Sequence, residues 1–532
     1  MNLKKQSSAS GRPYARDQRR RKRLRKGSQR SEALLAAFRS VKDFEAVEKF
    51  YGGIHRRGSP ADQRELILAR PWAQIVTRIV LLAGMNRGWR ISHHFSFKHA
   101  IQWRAGTAIG YAIHLVTRRW LLIFKIRRGA EFITQLRIQW LQLRRCTGLL
   151  DPATGCLRAG SALTVQLLGS RDDMVAPEDN VDLVSGRDFV YLDVPYSGHA
   201  DVIRLNDSQH GPGRAQIFRQ ALIQSPEELQ QHASVPSDEK FSEPTPNIKN
   251  VVFVIHGIRD EGFWTHKIAR RVRQRAASRA DEWATETSSY GYFPMLPFLV
   301  PWYRRRKVEW LMDQYAEALA RYPAAKFSYV GHSNGTYLLA KALELYPCAR
   351  FENVVFAGSV VRVGYDWSRF LNATPPRVGA VLNFLATTDW VVAFFPKLFQ
   401  FLGCQDLGSA GHDGFQVAKD TRGVFQARYV KGGHGAAIAE PVWDTIADFV
   451  LTGRANTGNI PNRVTEKNVW IDTLSKFPPL VWALILLVAF SIWAGITFLI
   501  GRTVCDPETR GLVTGLALGA YALFLWLIVT RV

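Results

Sequence analysis

The chain has 532 residues, 47% of them hydrophobic, which is enough for more than one buried core and excludes a wholly disordered polymer. Its five cysteines, Cys146, Cys156, Cys348, Cys404 and Cys505, are odd in number and scattered without Cys-x-x-Cys or Cys/His ligand spacing, which argues against a disulfide framework and a structural zinc. The net charge of +25 is densest in one run, Arg19-Arg20-Arg21-Lys22-Arg23-Leu24-Arg25-Lys26, with no aromatic residues interleaved and no apolar stretch behind it, so neither a nucleic-acid platform nor a cleaved secretory signal is expected.

Residues 1–30 read as a basic, disordered tail, with contact to anionic lipid as the alternative. A helical pattern starts at Ser31 with Leu34, Leu35, Phe38, Phe44 and Val47, and opens a unit expected over residues 31–224. Within it residues 90–145 read as helical. The stretch 106–126 is apolar, but His114, Arg118, Arg119 and Lys125 make it an interfacial or partly buried helix rather than a span. Short apolar runs at 163–168 and 189–194 read as strands, and the Ser-, Pro- and Glu-rich stretch 225–250 as a linker.

From residue 251 to 453 strand and helix alternate. Buried strands are expected at 251–255, 327–330, 354–357 and 381–386, and helices at 310–321 and 336–345, the pattern of a doubly wound, mostly parallel sheet. After a juxtamembrane stretch, 454–479, residues 480–500 and 511–530 are two uncharged runs long enough to cross a bilayer as a hairpin. Arg454, Arg463, Lys467 and Lys476 precede the first run, against Arg502 and Arg510 in the loop, so the preceding domain is expected on the cytoplasmic side.

The chemistry concentrates in the second unit. Ser333 sits in Gly331-His332-Ser333-Asn334-Gly335, a Gly-x-Ser-x-Gly motif between an expected strand and helix, where glycines relieve the crowding of a sharp turn. Upstream, the strand 251–255 ends in His256-Gly257-Ile258. Downstream, Asp389 follows an expected strand, and His434 lies in Gly432-Gly433-His434-Gly435 before the last helix.

In this order and context, the region from about residue 247 to 453 resembles the α/β-hydrolase fold family. The resemblance implies Ser333 as nucleophile, His434 as general base, Asp389 as its orienting carboxylate, and the backbone N–H groups of Ile258 and Asn334 as an oxyanion hole. His256 and His332 read as structural neighbours. A serine nucleophile argues against epoxide or haloalkane hydrolysis.

The first unit resembles the back half of a second such domain. Residues 78–84 are similar to 353–358, residues 165–175 to 382–391, and residues 196–203 to the segment around His434, which puts Asp172 or Asp173 opposite Asp389. Ser59 falls opposite Ser333 but lacks the glycines and the preceding strand. A non-catalytic remnant with a helical cap is therefore expected.

The function expected is a membrane-anchored serine hydrolase cleaving an acyl ester of esterase or lipase type, needing no metal or organic cofactor. A thioester or amide substrate, and a non-catalytic membrane scaffold, are the alternatives. The expected partners are an acyl-ester or lipid-like substrate and the membrane; the sequence leaves the oligomeric state open. Too few residues separate Gly358 from Gly379 for a large lid, so the pocket must be shielded by residues 293–303, by residues 90–145 or by the bilayer.

Overall fold

The computed structural model describes residues 76–90, 97–117, 121–145, 162–172, 175, 179, 189–234, 244–417, 422–456, 458, 460 and 463–531. The basic tail, the helical pattern from Ser31, Ser59, Asp173, Cys146 and Cys156 lie outside the described residues. The chain divides into two units, residues 1–243 and 244–532.

In the first unit three parallel strands, β1 (Arg78–Leu82), β2 (Leu163–Gly169) and β3 (Phe189–Val194), lie side by side in that order. Val165, Leu167, Val190 and Leu192 are buried, as parallel strands require. Between β1 and β2 the chain forms α1 (Phe97–Thr117), a short helix Leu122–Lys125, and α2 (Glu131–Arg145). The stretch 106–126 is thus not one helix, and Ile109, Leu115 and Val116 on α1 are exposed. After β3 come α3 (Gly211–Ile223) and α4 (Pro226–Gln231), whose Phe218, Ala221 and Leu229 cover the sheet. Helix α4 occupies the start of the stretch read as linker. Ser225 caps it, accepting the Glu228 N–H at 3.2 Å, while the Glu228 carboxylate accepts the Ser225 N–H at 2.9 Å.

The second unit is built on six parallel strands: β4 (Asn250–Ile255), β5 (Trp283–Glu286), β6 (Lys326–His332), β7 (Phe351–Ala357), β8 (Val378–Ala386) and β9 (Val424–Val430). Their order is β5-β4-β6-β7-β8-β9. All four strands expected from the sequence are present; β5 and β9 join them at the two edges.

Helices cover both faces. On one side α5 (Phe263–Ala276) and α10 (Trp443–Thr452) bring Ile268, Val272, Ile446 and Phe449 onto Val252, Val254, Val330 and Phe384. The alternate residues Phe253, Phe327, Tyr329 and Phe351 pack on one another, and Phe327 and Phe351 meet Tyr315 of α7 (Pro301–Arg321), which packs beside α8 (Asn334–Leu345). A short α6 (Met295–Leu299) precedes α7, and α9 (Trp390–Leu402) follows β8. From β4 the chain turns to β5 on one side and crosses to β6 on the other. The order therefore reverses between β4 and β6, and in open parallel sheets ligands bind beyond the carboxyl ends of strands at such a point.

After α11 (Val469–Ser475) the chain ends in α12 (Pro478–Thr503) and α13 (Pro507–Arg531). Both are long and apolar enough to cross a membrane, with mean hydropathies of 2.5 and 2.0, and contain the two runs expected to do so. They pair with each other: the Tyr521 hydroxyl donates to the Ala489 carbonyl at 2.6 Å and its ring stacks on Trp493.

Candidate active site

Ser333 is the first residue after β6 and the N-cap of α8, yet its backbone has φ 51° and ψ −118°, a region that costs a residue with a side chain of order 1–3 kcal/mol. The turn is held by its own N–H to the Ala357 carbonyl (2.9 Å) and by the Thr336 hydroxyl donating to the Ser333 carbonyl (2.7 Å). A serine at an N-cap ordinarily spends its hydroxyl on the helix N–H groups; this one makes no such bond.

The flanking glycines are needed for packing. A Cβ on Gly335 would come within 2.5 Å of the Ile255 carbonyl, and one on Gly331 within 2.7 Å of the Tyr329 ring. A Cβ on Gly257 would lie 2.8 Å from the Ser333 Cβ, so the end of β4 closes directly on the serine.

Asp389 follows β8 and caps α9, accepting the Val392 N–H on Oδ1 at 3.0 Å, while the two carboxylate oxygens lie 3.1 and 3.0 Å from Nδ1 of His434. Burial on its own would raise the Asp389 pKa. The His434 ring and the Val392 N–H outweigh it and hold the carboxyl below the usual range, so it is ionised at neutral pH. An ionised partner at Nδ1 favours the tautomer with its proton there and the lone pair on Nε2.

The imidazole lies over Gly358 (φ 55°), where a Cβ would come within 2.7 Å of it. It packs against the His332 ring, centroids 4.7 Å apart, next in sequence to the serine. The loop carrying His434 is tied to the one carrying Asp389, through the Thr388 N–H to the Gly432 carbonyl (2.9 Å) and the Gly432 N–H to the Thr387 hydroxyl (3.1 Å).

His332 and His256 each set a ring nitrogen against a backbone carbonyl of the surrounding loops. Burial, with repulsion from His434, pushes the pKa of His332 down to about 3; it is neutral, and its Nε2 lies 3.2 Å from the His434 carbonyl. Burial also lowers His256. Its Nδ1 lies 2.8 Å from the Gly257 carbonyl and its Nε2 2.8 Å from the Ser289 hydroxyl, and its ring stacks on Tyr290.

Tyr290, which the sequence reading missed, donates to the same Gly257 carbonyl at 2.6 Å and accepts from the Asn334 side chain at 3.1 Å. That carbonyl shares a peptide plane with the Ile258 N–H, so Tyr290 and His256 fix the direction of one of the two expected oxyanion donors.

A separate cluster of His412, Asp413 and Asp472 has ligand atoms close enough for a metal ion. Two ammonium groups already neutralise it: Lys397 lies 2.8 Å from Asp413 and Lys467 3.1 Å from Asp472. The arrangement is that of an ion-pair network.

The first unit repeats part of this geometry. Asp172 follows β2, accepts the Val175 N–H on Oδ1 at 3.0 Å, and lies 3.1 Å from Nδ1 of His199, which follows β3. A buried amide stands six residues before each aspartate, Gln166 in β2 and Asn383 in β8. Set against known protein families and curated proteins, the sequence matches none.

Proposed function

We propose that the second unit is a serine hydrolase of the α/β-hydrolase type, cleaving an acyl ester and held at a membrane by α12 and α13. The observation that carries this reading is Ser333 itself: a strained residue with an unspent hydroxyl, at the point where the strand order reverses and next in sequence to His332, whose ring packs on an imidazole anchored on a buried carboxylate. The strand order, with serine, acid and histidine each following the carboxyl end of a strand, supports the same reading.

Ser333 Oγ attacks the acyl carbonyl as His434 Nε2 takes its proton. The charge on the carbonyl oxygen is met by the N–H groups of Ile258 and Asn334. Collapse expels the alcohol, which takes the proton from His434 and leaves the acyl on Ser333. Water then attacks the acyl group, giving its proton to His434; the acid leaves and the proton returns to Oγ. Asp389 stays ionised throughout and stabilises the imidazolium.

Basic residues before α12 favour a cytoplasmic domain. In the first unit no serine on such a turn accompanies Asp172 and His199 among the described residues, and we assign that unit a non-catalytic role. A fluorophosphonate probe tests the reading: it should label the wild-type chain at Ser333, and Ser333→Ala should abolish labelling and lower ester hydrolysis by about 10⁶-fold. Labelling that survives the substitution overturns the assignment.

A further inference from the structure

Resting on the hydrolase reading above, we infer that the substrate is a lipid ester drawn from the bilayer that holds α12 and α13, and that the carboxyl end of the sheet faces that bilayer. Both flanks of the site are fastened to the apolar hairpin. On one flank, α9 begins at Asp389 and packs on α12, where the Trp482 indole N–H donates to the Phe394 carbonyl at 3.2 Å and its ring meets Phe395 edge-on, centroids 4.7 Å apart. On the other, the loop that brings Tyr290 to the Gly257 carbonyl runs directly into α6, which touches α13. Trp482 lies within two turns of the start of α12, so the contact with α9 is made at the end of α12 nearest the domain.

The two helices that touch the start of the hairpin, α9 and α11, carry exposed apolar side chains. Phe401 on α9 is 63% exposed and Trp470 on α11 79%, with Leu402, Val469 and Phe477 exposed beside them. Large side chains of this kind, adjoining an apolar span, match the buried face of an interfacial helix. The opposite end of the sheet has another character. There Lys249 pairs with Glu282, and Lys326 with Glu352, at the amino ends of β4, β6 and β7. Water therefore suits one end of the sheet and lipid the other, and the serine is at the lipid end. A lipid ester lifted slightly from the bilayer reaches Ser333 with its acyl chains still in apolar surroundings.

The test uses the full chain in phosphatidylcholine vesicles. An environment-sensitive fluorophore on a single cysteine at position 402 or 470 should be quenched by doxyl-labelled phosphatidylcholine, and one at position 326 should not. Phe401→Asp combined with Leu402→Asp should lower hydrolysis of a fluorogenic diacylglycerol ester embedded in the vesicles by about tenfold or more, with hydrolysis of water-soluble p-nitrophenyl butyrate held within about twofold. Unquenched labels at 402 and 470, or equal loss on both esters, overturn the inference. So does an undiminished rate on the embedded ester. If wild-type Ser333 takes a fluorophosphonate and cleaves the butyrate but not the embedded ester, only the substrate assignment falls. If Ser333 takes no probe and neither ester is cleaved, the hydrolase reading falls with it.

Discussion

Asp389 leaves the carboxyl end of β8, receives the Val392 N–H and holds His434; Asp172 leaves the end of β2, receives the Val175 N–H three residues on and holds His199. The residue just after the preceding strand also turns alike, Gly358 after β7 with φ 55° and Ala83 after β1 with φ 46°. What differs is the rest of the sheet. The second unit has β4 and β6 beyond β7, which bring His256, Gly257 and Ser333 to the same edge, while the described sheet of the first unit stops at β1. An acid–histidine pair is thus a local product of two strand ends and a capped turn. A strained serine turn like that of Ser333 is not, because it needs two further strands and the close approach of Gly257 and Gly335.

The same substitution made in both acid–histidine pairs should separate the two units most strongly. Asp389→Asn keeps the shape but removes the charge and favours the wrong imidazole tautomer, and should lower kcat by about 10⁴-fold. If Asp172→Asn lowers it as far, the two units share one chemistry and the division drawn between them is wrong.

A smaller effect is expected at Tyr290. Tyr290→Phe leaves the ring on His256 but removes the proton that pins the Gly257 carbonyl, so the Ile258 N–H loses part of its direction. We expect kcat to fall about tenfold to a hundredfold, with KM and thermal stability little changed. A fall in stability with kcat intact would make Tyr290 a packing residue only.

Acid sensitivity separates the units in another way. His332 stays neutral in the folded second unit down to about pH 3, whereas an unfolded histidine titrates near 6.5. Between those values the unfolded chain binds a proton that the folded one does not, so stability is full above about pH 6.5 and falls as the pH drops toward 3. At most one proton is involved, or roughly a tenfold change in the unfolding constant per pH unit. His412, pushed down to about 4 by burial, adds to the slope in the same direction. His332→Gln should reduce the pH slope of denaturant unfolding of the second unit, measured in micelles, by up to one proton. An unchanged slope would place the acid sensitivity elsewhere.

Much of this was legible in the sequence because the buried strands are continuous apolar runs and the serine motif lies between a strand and a helix. The apolar hairpin was legible too, because no charge interrupts either run. Strand β5 was not: Trp283-Ala284-Thr285-Glu286 is short, lies at an edge and is half-buried, so it carries no apolar run. Helix α7 was expected to start at residue 310, although Pro301 marks its first turn. The Ser225-to-Glu228 capping box was readable, but the surrounding Ser, Pro and Glu content outweighed it. Tyr290 had no sequence signal, since its partner Gly257 lies 33 residues away, with all of α5 and β5 between them.

The smallest effect expected is in the first unit. Asp172 is nearly buried, with a side chain 3% exposed, and its bonds to Val175 and His199 join the end of β2 to the loop after β3. Asparagine there can still accept the Val175 N–H but gives a weaker bond to His199, so Asp172→Asn should cost about 1 kcal/mol. His199→Ala should cost a similar amount by leaving the Asp172 carboxylate with one partner fewer. Both losses should appear as faster proteolysis within residues 76–234, because that unit folds around its own sheet. Ester hydrolysis and fluorophosphonate labelling should stay within about twofold of wild type, and the same holds for Ser59→Ala, since the proposed nucleophile, Ser333, belongs to the other unit. Should His199→Ala instead abolish labelling while the protease pattern stays unchanged, the first unit holds a working base and its remnant assignment is wrong.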